Sequence, residues 1–354
     1  KDNLLLWRIK MRIDKYKESL NELSGKTIAI VYVFEGKNEI NAERYDVWKS
    51  DVLISWITAC SELNMFPLLL DVDTFCFKAF TGTLPNIDYV INLSNGCYDL
   101  SVLGMIPAIC SYLKILCIPN NATATIIGEN KKVSNHIANE CGFNIPPKAT
   151  SENGNTILRA NNLGSSCGTL KGGKRRNNKD FCQKFINGFD LTVPCLYNPL
   201  SEELEVSTPI MYINNSKDIN WYLGENEKKE RNSYTKHAAF IDEKAVKKIK
   251  NLATNEFDIE TYCRIDFRIL CSSKSEIEFY LKNAIPDEKM YFIEINPLPT
   301  IKENVNFTNS ISNKSEFNAL KQALNIYNEI IKNATDTGFV LSSSILSFTT
   351  KHYI

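Results

Sequence analysis

The chain has 354 residues, 41 basic and 41 acidic, and 44% of its residues are hydrophobic. That length buries a sizeable core divided among two or three subdomains, and the balanced charge excludes a global field suited to nucleic acid or a lipid surface. Eleven cysteines without a C-x-x-C pair and only three histidines, His136, His237 and His352, argue against zinc.

Residues 1–24 carry Leu5, Leu6, Ile9, Ile13, Leu20 and Leu23 at three-to-four spacing, which predicts a helical preface, with partner docking as its alternative role. A strand from Thr27 to Phe34 follows, then a polar loop, a helical pattern in NAERYDVWKSDVLISWITACSEL and a strand in MFPLLLDVD. This is a βαβ unit and implies a parallel sheet. Ile87–Leu93 is the next buried strand, and ILCIPNN ends this N-terminal α/β unit over 25–120. Cysteines in its apolar runs, among them Cys60, Cys110 and Cys117, read as reduced thiols packing as small hydrophobes. With no apolar run of ~18 residues and no signal-peptide pattern ahead of the first strand, the expected location is cytoplasmic.

Residues 121–200 read as a small central lobe. GENKKVSNHIANE is a helix, and Asn155–Leu170 has the form strand, Gly/Ser-rich turn, strand. Consecutive small residues let backbone N–H groups close on phosphate oxygens, although the same chemistry builds ordinary hairpins. Lys171–Asp180, KGGKRRNNKD, is either a phosphate contact or a solvated charge run.

Residues 201–354 form the last unit. Asn214–Phe240 is too long and polar for a tight turn, and loops of this length are often lids. An amphipathic helix, IDEKAVKKIKNLATNEF, feeds two strands, TYCRIDFRI (Thr261–Ile269) and MYFIEINPLPT (Met290–Thr300). Side chains two apart on a strand share a face, so Arg264 projects with Asp266, and Glu294 with Asn296. A single Asp on a strand is commonly a solvated edge residue. Four such groups at period two on apolar strands instead point to a site. If the strands are neighbours, Asp266, Glu294 and Asn296 offer hard oxygen ligands suited to Mg²⁺, which is usually held by one or two carboxylates plus substrate phosphates. SEFNALKQALNIYNEIIKNA reads as a closing helix, and the tail from Thr337 to Ile354 carries no assignable chemistry.

RIDF followed by EINPLP resembles the metal-binding core of the ATP-grasp ligases, in particular the D-alanine–D-alanine ligase branch, and ordered matches recur from about Lys26 to Asn306. The resemblance implies an α/β ATP-grasp fold: an N-terminal parallel-sheet domain, a trimmed small lobe and a C-terminal metal-binding domain. It implies ATP and Mg²⁺, with Mn²⁺ as a substitute, and small carboxylic acid and amine substrates. A homodimer is a family expectation, and neither nucleic acid nor membrane is an expected partner. Carried over by motif, Glu43 in NAER lies near the amine substrate, with the first helical turn as its structural alternative, and Lys131 faces the nucleotide. Arg159 stands for a lysine that binds phosphate, and Ser165 in GSSCG orients the nucleophile together with Tyr222. Gln183, Lys184 and Ile186 line adenine, and Asp190 takes the ribose hydroxyls. Arg264 stabilises the transferring phosphoryl group, and Asp266, Glu294 and Asn296 hold the metal.

Departures from the family pattern accompany these matches. Trp221 replaces a phosphate-facing lysine of the lid, for which Lys228 or Lys236 could compensate. Asn95-Gly96 stands in place of His-Gly, and Thr300–Asn306 lacks the pair that grips the amine substrate's carboxylate. The expected activity is therefore a specialised carboxylate–amine ligase acting through an acylphosphate, distinct from cell-wall D-alanyl-D-alanine synthesis. Two alternatives stay open: acyl loading onto a carrier-protein thiol or other nucleophile, and a non-catalytic ATP-binding relative.

Overall fold

A computed structural model of the chain describes residues 21–33, 50–94, 100–149, 154–161, 166, 169–172, 180–198, 203–230 and 232–299. The expectations for residues 1–20, Glu43, Asn95-Gly96, Ser165, most of KGGKRRNNKD, Thr300–Asn306 and the closing helix lie outside these residues.

The N-terminal unit is a four-stranded parallel sheet in the order β2-β1-β3-β4, built from β1 (Thr27–Tyr32), β2 (Phe66–Asp71), β3 (Tyr89–Leu93) and β4 (Leu116–Ile118). β1 and β3 read TIAIVY and YVINL and are buried on both faces, as central strands of a parallel sheet must be. One face packs on Trp56, Ala59 and Cys60 of helix α1 (Ser50–Glu62). The other meets Phe75 of α2 (Val72–Thr81), then Ile106 and Cys110 further along the chain. Asp71 ends β2 and starts α2, its side chain accepting from the Thr74 N–H.

Two antiparallel sheets complete the fold. The small lobe is three-stranded, β6-β5-β7, from β5 (Thr156–Ala160), β6 (Leu170–Lys171) and β7 (Asp180–Lys184). The large sheet has the order β11-β10-β8-β12-β13, with β9 (Glu203–Val206) beside β8. Its members are β8 (Gly188–Asn198), β10 (Ile210–Asn214), β11 (Tyr234–Ala238), β12 (Tyr262–Leu270) and β13 (Met290–Asn296). The polar stretch after β10 holds a short helix at Glu225–Lys229 and returns as β11, which pairs antiparallel with β10. A sequence division at residue 200 falls just after β8, yet β8 pairs with β12 along nine residues of each strand. By hydrogen bonding β8 goes with the large sheet, and the small-lobe strands end at Lys184.

One face of the large sheet is core. Leu191, Val193 and Cys195 of β8, Ile265, Phe267 and Ile269 of β12, and Phe292 and Ile295 of β13 are essentially inaccessible and pack on Ala245 and Ile249 of the amphipathic helix at Glu243–Asn251. Apolar burial on this scale contributes roughly 1.5–3 kcal/mol per large side chain. The opposite face carries the charges. Asn120, fully buried just past β4, ties the first sheet to this one: its amide donates to the carbonyls of Tyr262 and Pro297, and its oxygen accepts from the Glu260 N–H.

Candidate active site

Because β12 alternates strictly, Arg264, Asp266 and Arg268 stand on the face away from the core. Cross-strand partners share a face, so the register reads out the site in rows. Arg268 lies beside Asp190, Asp266 lies between Thr192 and Glu294, and Arg264 lies between Pro194 and Asn296. β13 reaches this arrangement through an irregularity. Asp266 pairs with Glu294 but Phe267 pairs with Phe292, leaving Ile293 as the extra residue of a β-bulge. The bulge shifts the phase of the strand, so Phe292 stays in the core against Phe143 and Phe267 while Glu294 turns to the charged face. The Ile293 carbonyl accepts from Asn135 Nδ2 at 3.0 Å and from Arg159 Nη1 at 2.9 Å.

Each carboxylate has its own cationic partners. Arg264 grips Asp266 with both arms of its fork, Nε to Oδ1 at 3.0 Å and Nη2 to Oδ2 at 2.8 Å, and Thr192 Oγ1 donates to Oδ1 at 2.8 Å. The Asn296 amide, oriented to satisfy its neighbours, accepts from Arg264 Nη2 at 2.6 Å and donates to Glu129 at 3.2 Å. Glu294 Oε2 lies 2.7 Å from Arg159 Nη2 and 3.2 Å from Lys131 Nζ. Burial pushes the Glu294 carboxyl up, but Lys131, Arg159, Arg264 and Lys228 outweigh it and hold it at about 2. For Arg264, burial pulls the guanidinium down, and Asp266 and Glu294 more than compensate, leaving it raised. Arg159 is lowered by its burial despite Glu294.

Lys131, Arg159, Arg264 and Lys228 act on Glu294, with Asp266 opposite it and Glu129 beside Asn296. The side chains of Glu294, Asp266 and Arg264 keep 17, 20 and 23% of their surface open. Several cations converging on a partly open, low-dielectric surface suit an anion.

The polar stretch between β10 and β11 caps this face. Lys228 Nζ donates to Ser166 Oγ at 2.8 Å, and Ser166 Oγ donates to the Leu223 carbonyl at 3.2 Å. The Leu223 N–H donates to Asp190 Oδ2 at 2.7 Å, and Lys171 Nζ reaches the Asn220 carbonyl at 3.0 Å. Trp221 stacks at 5.8 Å on Tyr234, which lies 5.9 Å from Tyr212 of β10. At the root of the cap sits Arg268, 3% exposed. It bonds the carbonyls of Ile186, Gly188, Ile219 and Trp221, stands 3.1 Å from Asp190 and lies over the Phe185 ring.

The structure thus gathers Arg264, Asp266, Glu294, Asn296, Lys131 and Arg159 into one cluster. Asp190 lies one row away, its Oδ2 engaged by the cap and by Arg268. Tyr222 sits on the cap, edge-on to Phe185 at 6.1 Å, and burial and Glu227 push its phenol up. Gln183 turns inward instead of lining a cleft: its amide donates to Asn135 Oδ1 and to the Pro146 carbonyl, and its Oε1 is buried without a partner. Lys184 is exposed, its N–H bonded to the Pro147 carbonyl, and the Ile186 carbonyl is taken by Arg268. Sequence reasoning missed Arg268, although it follows Asp266 at the same spacing of two, and Thr192, two residues beyond Asp190. Of the two lysines named as compensating for Trp221, Lys228 bonds Ser166 and is among the cations that depress Glu294.

Among the described residues no group of three or more His, Cys, Asp or Glu could by itself hold a metal ion. Two facing carboxylates and one amide oxygen do suit a Mg²⁺ that takes its remaining ligands from water and phosphate. No described helix is long and apolar enough to cross a membrane.

No family model and no curated protein sequence matches the chain. Solved structures do. The VanG D-Ala:D-Ser ligase of Enterococcus faecalis aligns with a TM-score of 0.57 at 12% identity, covering 92% of this chain and 100% of that one. The D-alanine–D-alanine ligase of Bacillus anthracis complexed with ATP gives 0.55 at 13% identity over 90% and 98%. The D-alanyl-alanine synthetase A of Vibrio cholerae gives 0.55 at 13% identity over 85% and 99%. The chain has the ATP-grasp fold of these ligases.

Proposed function

We propose that the chain is an ATP-dependent carboxylate–amine ligase that forms an amide through an acylphosphate. The observation that carries the reading is the pair Asp266–Glu294, opposed across two strands and ringed by cations from a helix, the small lobe, β12 and the cap. The named activities of the similar structures, D-Ala:D-Ser and D-alanine–D-alanine ligation, agree with that chemistry.

In this reading Lys131 and Arg159 hold nucleotide phosphates, exchanging contacts with Glu294 for contacts with phosphate oxygens. Arg264 faces the transferring phosphoryl group and later the oxyanion of the tetrahedral intermediate, where a fixed guanidinium acts without reorganisation. Asp266, Glu294 and Asn296 would hold Mg²⁺ or Mn²⁺. When bound, a divalent ion would supply neutralisation of charge developing during phosphoryl transfer. Lys184 and Ile186 are assigned to the adenine wall, Gln183 being turned inward, and Asp190 to the ribose. Ser165, Tyr222 and Glu43 are assigned to the amine. Catalysis of this kind is mostly positioning and electrostatics, which is what the braced carboxylates and the stapled cap provide. The altered Thr300–Asn306 segment favours an amino acid or related acid of specialised metabolism over a second D-alanine.

ADP release from a panel of amino acids and other acids, with and without a free amine, tests this. Release that needs both substrates is the expected result. Release with acid plus a carrier-protein thiol would make the chain an acyl-loading enzyme, and ATP binding without turnover on any acid would make it a binder.

A further inference from the structure

Glu129 and Lys131 meet β13 with the same spacing of two that puts Glu294 and Asn296 on one face. Glu129 ends the helix at Ala122–Glu129 and Lys131 begins the helix at Lys131–Glu140, with Asn130 capping both. Across this junction Glu129 Oε1 accepts from the Asn296 amide nitrogen at 3.2 Å, while Lys131 Nζ lies 3.2 Å from Glu294 Oε2. A glycine permits the approach: a Cβ on Gly128 would stand 3.1 Å from Cγ and Cδ of Pro297, the residue after Asn296. Asn120, two residues before the first of these helices, donates to the Pro297 carbonyl and fixes the end of β13 against them.

An amide has a donor end and an acceptor end, and its neighbours decide which way it lies. Arg264 Nη2 can only donate and an ionised Glu129 can only accept, so the Asn296 oxygen turns to Arg264 and the nitrogen to Glu129. The same Arg264 nitrogen lies 2.6 Å from that oxygen and 2.8 Å from Asp266 Oδ2, so the two oxygens converge on one cationic atom. Resting on the ligase reading, we propose that Glu129 is a positioning residue: it holds the Asn296 amide with its oxygen beside that of Asp266, where the pair suits a divalent ion. Arg264 cannot serve this purpose throughout. Once its fork turns to the phosphoryl group, the Glu129 carboxylate is the neighbour that still tells the two ends of the amide apart. Groups that orient a metal ligand from behind raise metal affinity without touching the ion.

Paramagnetic resonance of free Mn²⁺, titrated with the chain and a non-hydrolysable ATP analogue, reads metal affinity without turnover. Glu129→Met is expected to weaken Mn²⁺ binding about tenfold. Asn296→Asp supplies the control background, because a carboxylate offers oxygen at either end and needs no orienting. There Glu129→Met is expected to change Mn²⁺ affinity by less than about twofold, and the retained binding shows that the variant folds. Unchanged Mn²⁺ binding on Glu129→Met in the wild-type background overturns the proposal. So does an equal loss in both backgrounds, which would make Glu129 a nearby charge and no more; the ligase reading survives either result. A wild-type chain that takes up no Mn²⁺ with the analogue overturns that reading and the proposal together.

Discussion

Phe292 and Glu294 stand two residues apart on one strand and face opposite sides of the sheet, because Ile293 is looped out between them. In a regular strand both would point the same way, and Glu294 would enter the aromatic core at Phe143 and Phe267. One inserted residue therefore converts a core strand into half of a charged site. Its carbonyl, bonded to Arg159 and Asn135, also anchors the small lobe and the nearby helix.

Glu294→Gln is the most direct test of the site. The substitution keeps the shape and removes the charge that faces Asp266. ADP formation should fall by at least about a hundredfold, measured with whichever acid and amine support turnover in the wild type. Turnover within a factor of a few of wild type would remove Glu294 from the metal and phosphate assignment.

The same carboxylate sets an acid limb of stability. Its folded pKa, about 2, lies below the ordinary 4.5. Its contribution is thus fully present above about pH 4.5 and fades as the pH falls toward 2. A shift of that size corresponds to about 3 kcal/mol. Urea unfolding at pH 5 and at pH 2 should show wild type losing about 3 kcal/mol more than Glu294→Gln does. Equal losses would mean that the flanking cations do not bias the ionisation of Glu294.

Arg268 predicts a mechanical defect. Arg268→Met leaves Asp190 without its buried cation and strips donors from the carbonyls of Ile186, Gly188, Ile219 and Trp221. The expected cost is about 3–5 kcal/mol, with Arg268→Lys in between because a point charge cannot reproduce the fork. Amide exchange should quicken at 186–188 and 219–223 and stay unchanged in β1 and β3. Unaltered exchange at the cap root would show that the staple is redundant.

Gly188 opens β8 at φ +140°, and a Cβ there would fall 1.7 Å from the Ile269 carbonyl oxygen. Gly188→Ala should cost more than about 3 kcal/mol, because backbone must move on both strands. Gly25→Ala is the control: its φ of +79° brings strain, but no atom lies within 4 Å of the added carbon. It should cost only about 1 kcal/mol. Denaturant midpoints decide, and similar costs for the two would discount the close approach of β8 and β12.

How much of this was legible in the sequence depends on the range of each signal. Arg264 and Asp266, and likewise Glu294 and Asn296, declared themselves because a period of two on apolar strands is local. The parallel sheet was legible from its βαβ pattern for the same reason. The bulge was not, since one extra residue leaves no compositional mark. The inward turn of Gln183 depends on Asn135 and Pro146, 48 and 37 residues away. Asn120 lies in ILCIPNN, where nothing local shows that it reaches residues 142 and 177 positions on. Arg268 was visible by its spacing of two from Asp266, but the carbonyls that give it a role lie 47 to 82 residues away in sequence.

The small lobe's own core among the described residues is Ala149, Leu158 and Cys182. Across to β13 it is fastened by Arg159, to a carbonyl and a carboxylate. A door latched by a buried ion pair answers little to ionic strength, because Arg159 and Glu294 keep only 6 and 17% of their side-chain surface open and dissolved salt screens such a pair weakly. A polyanion entering the cleft, by contrast, would compete directly for Arg159 and take over the latch from Glu294.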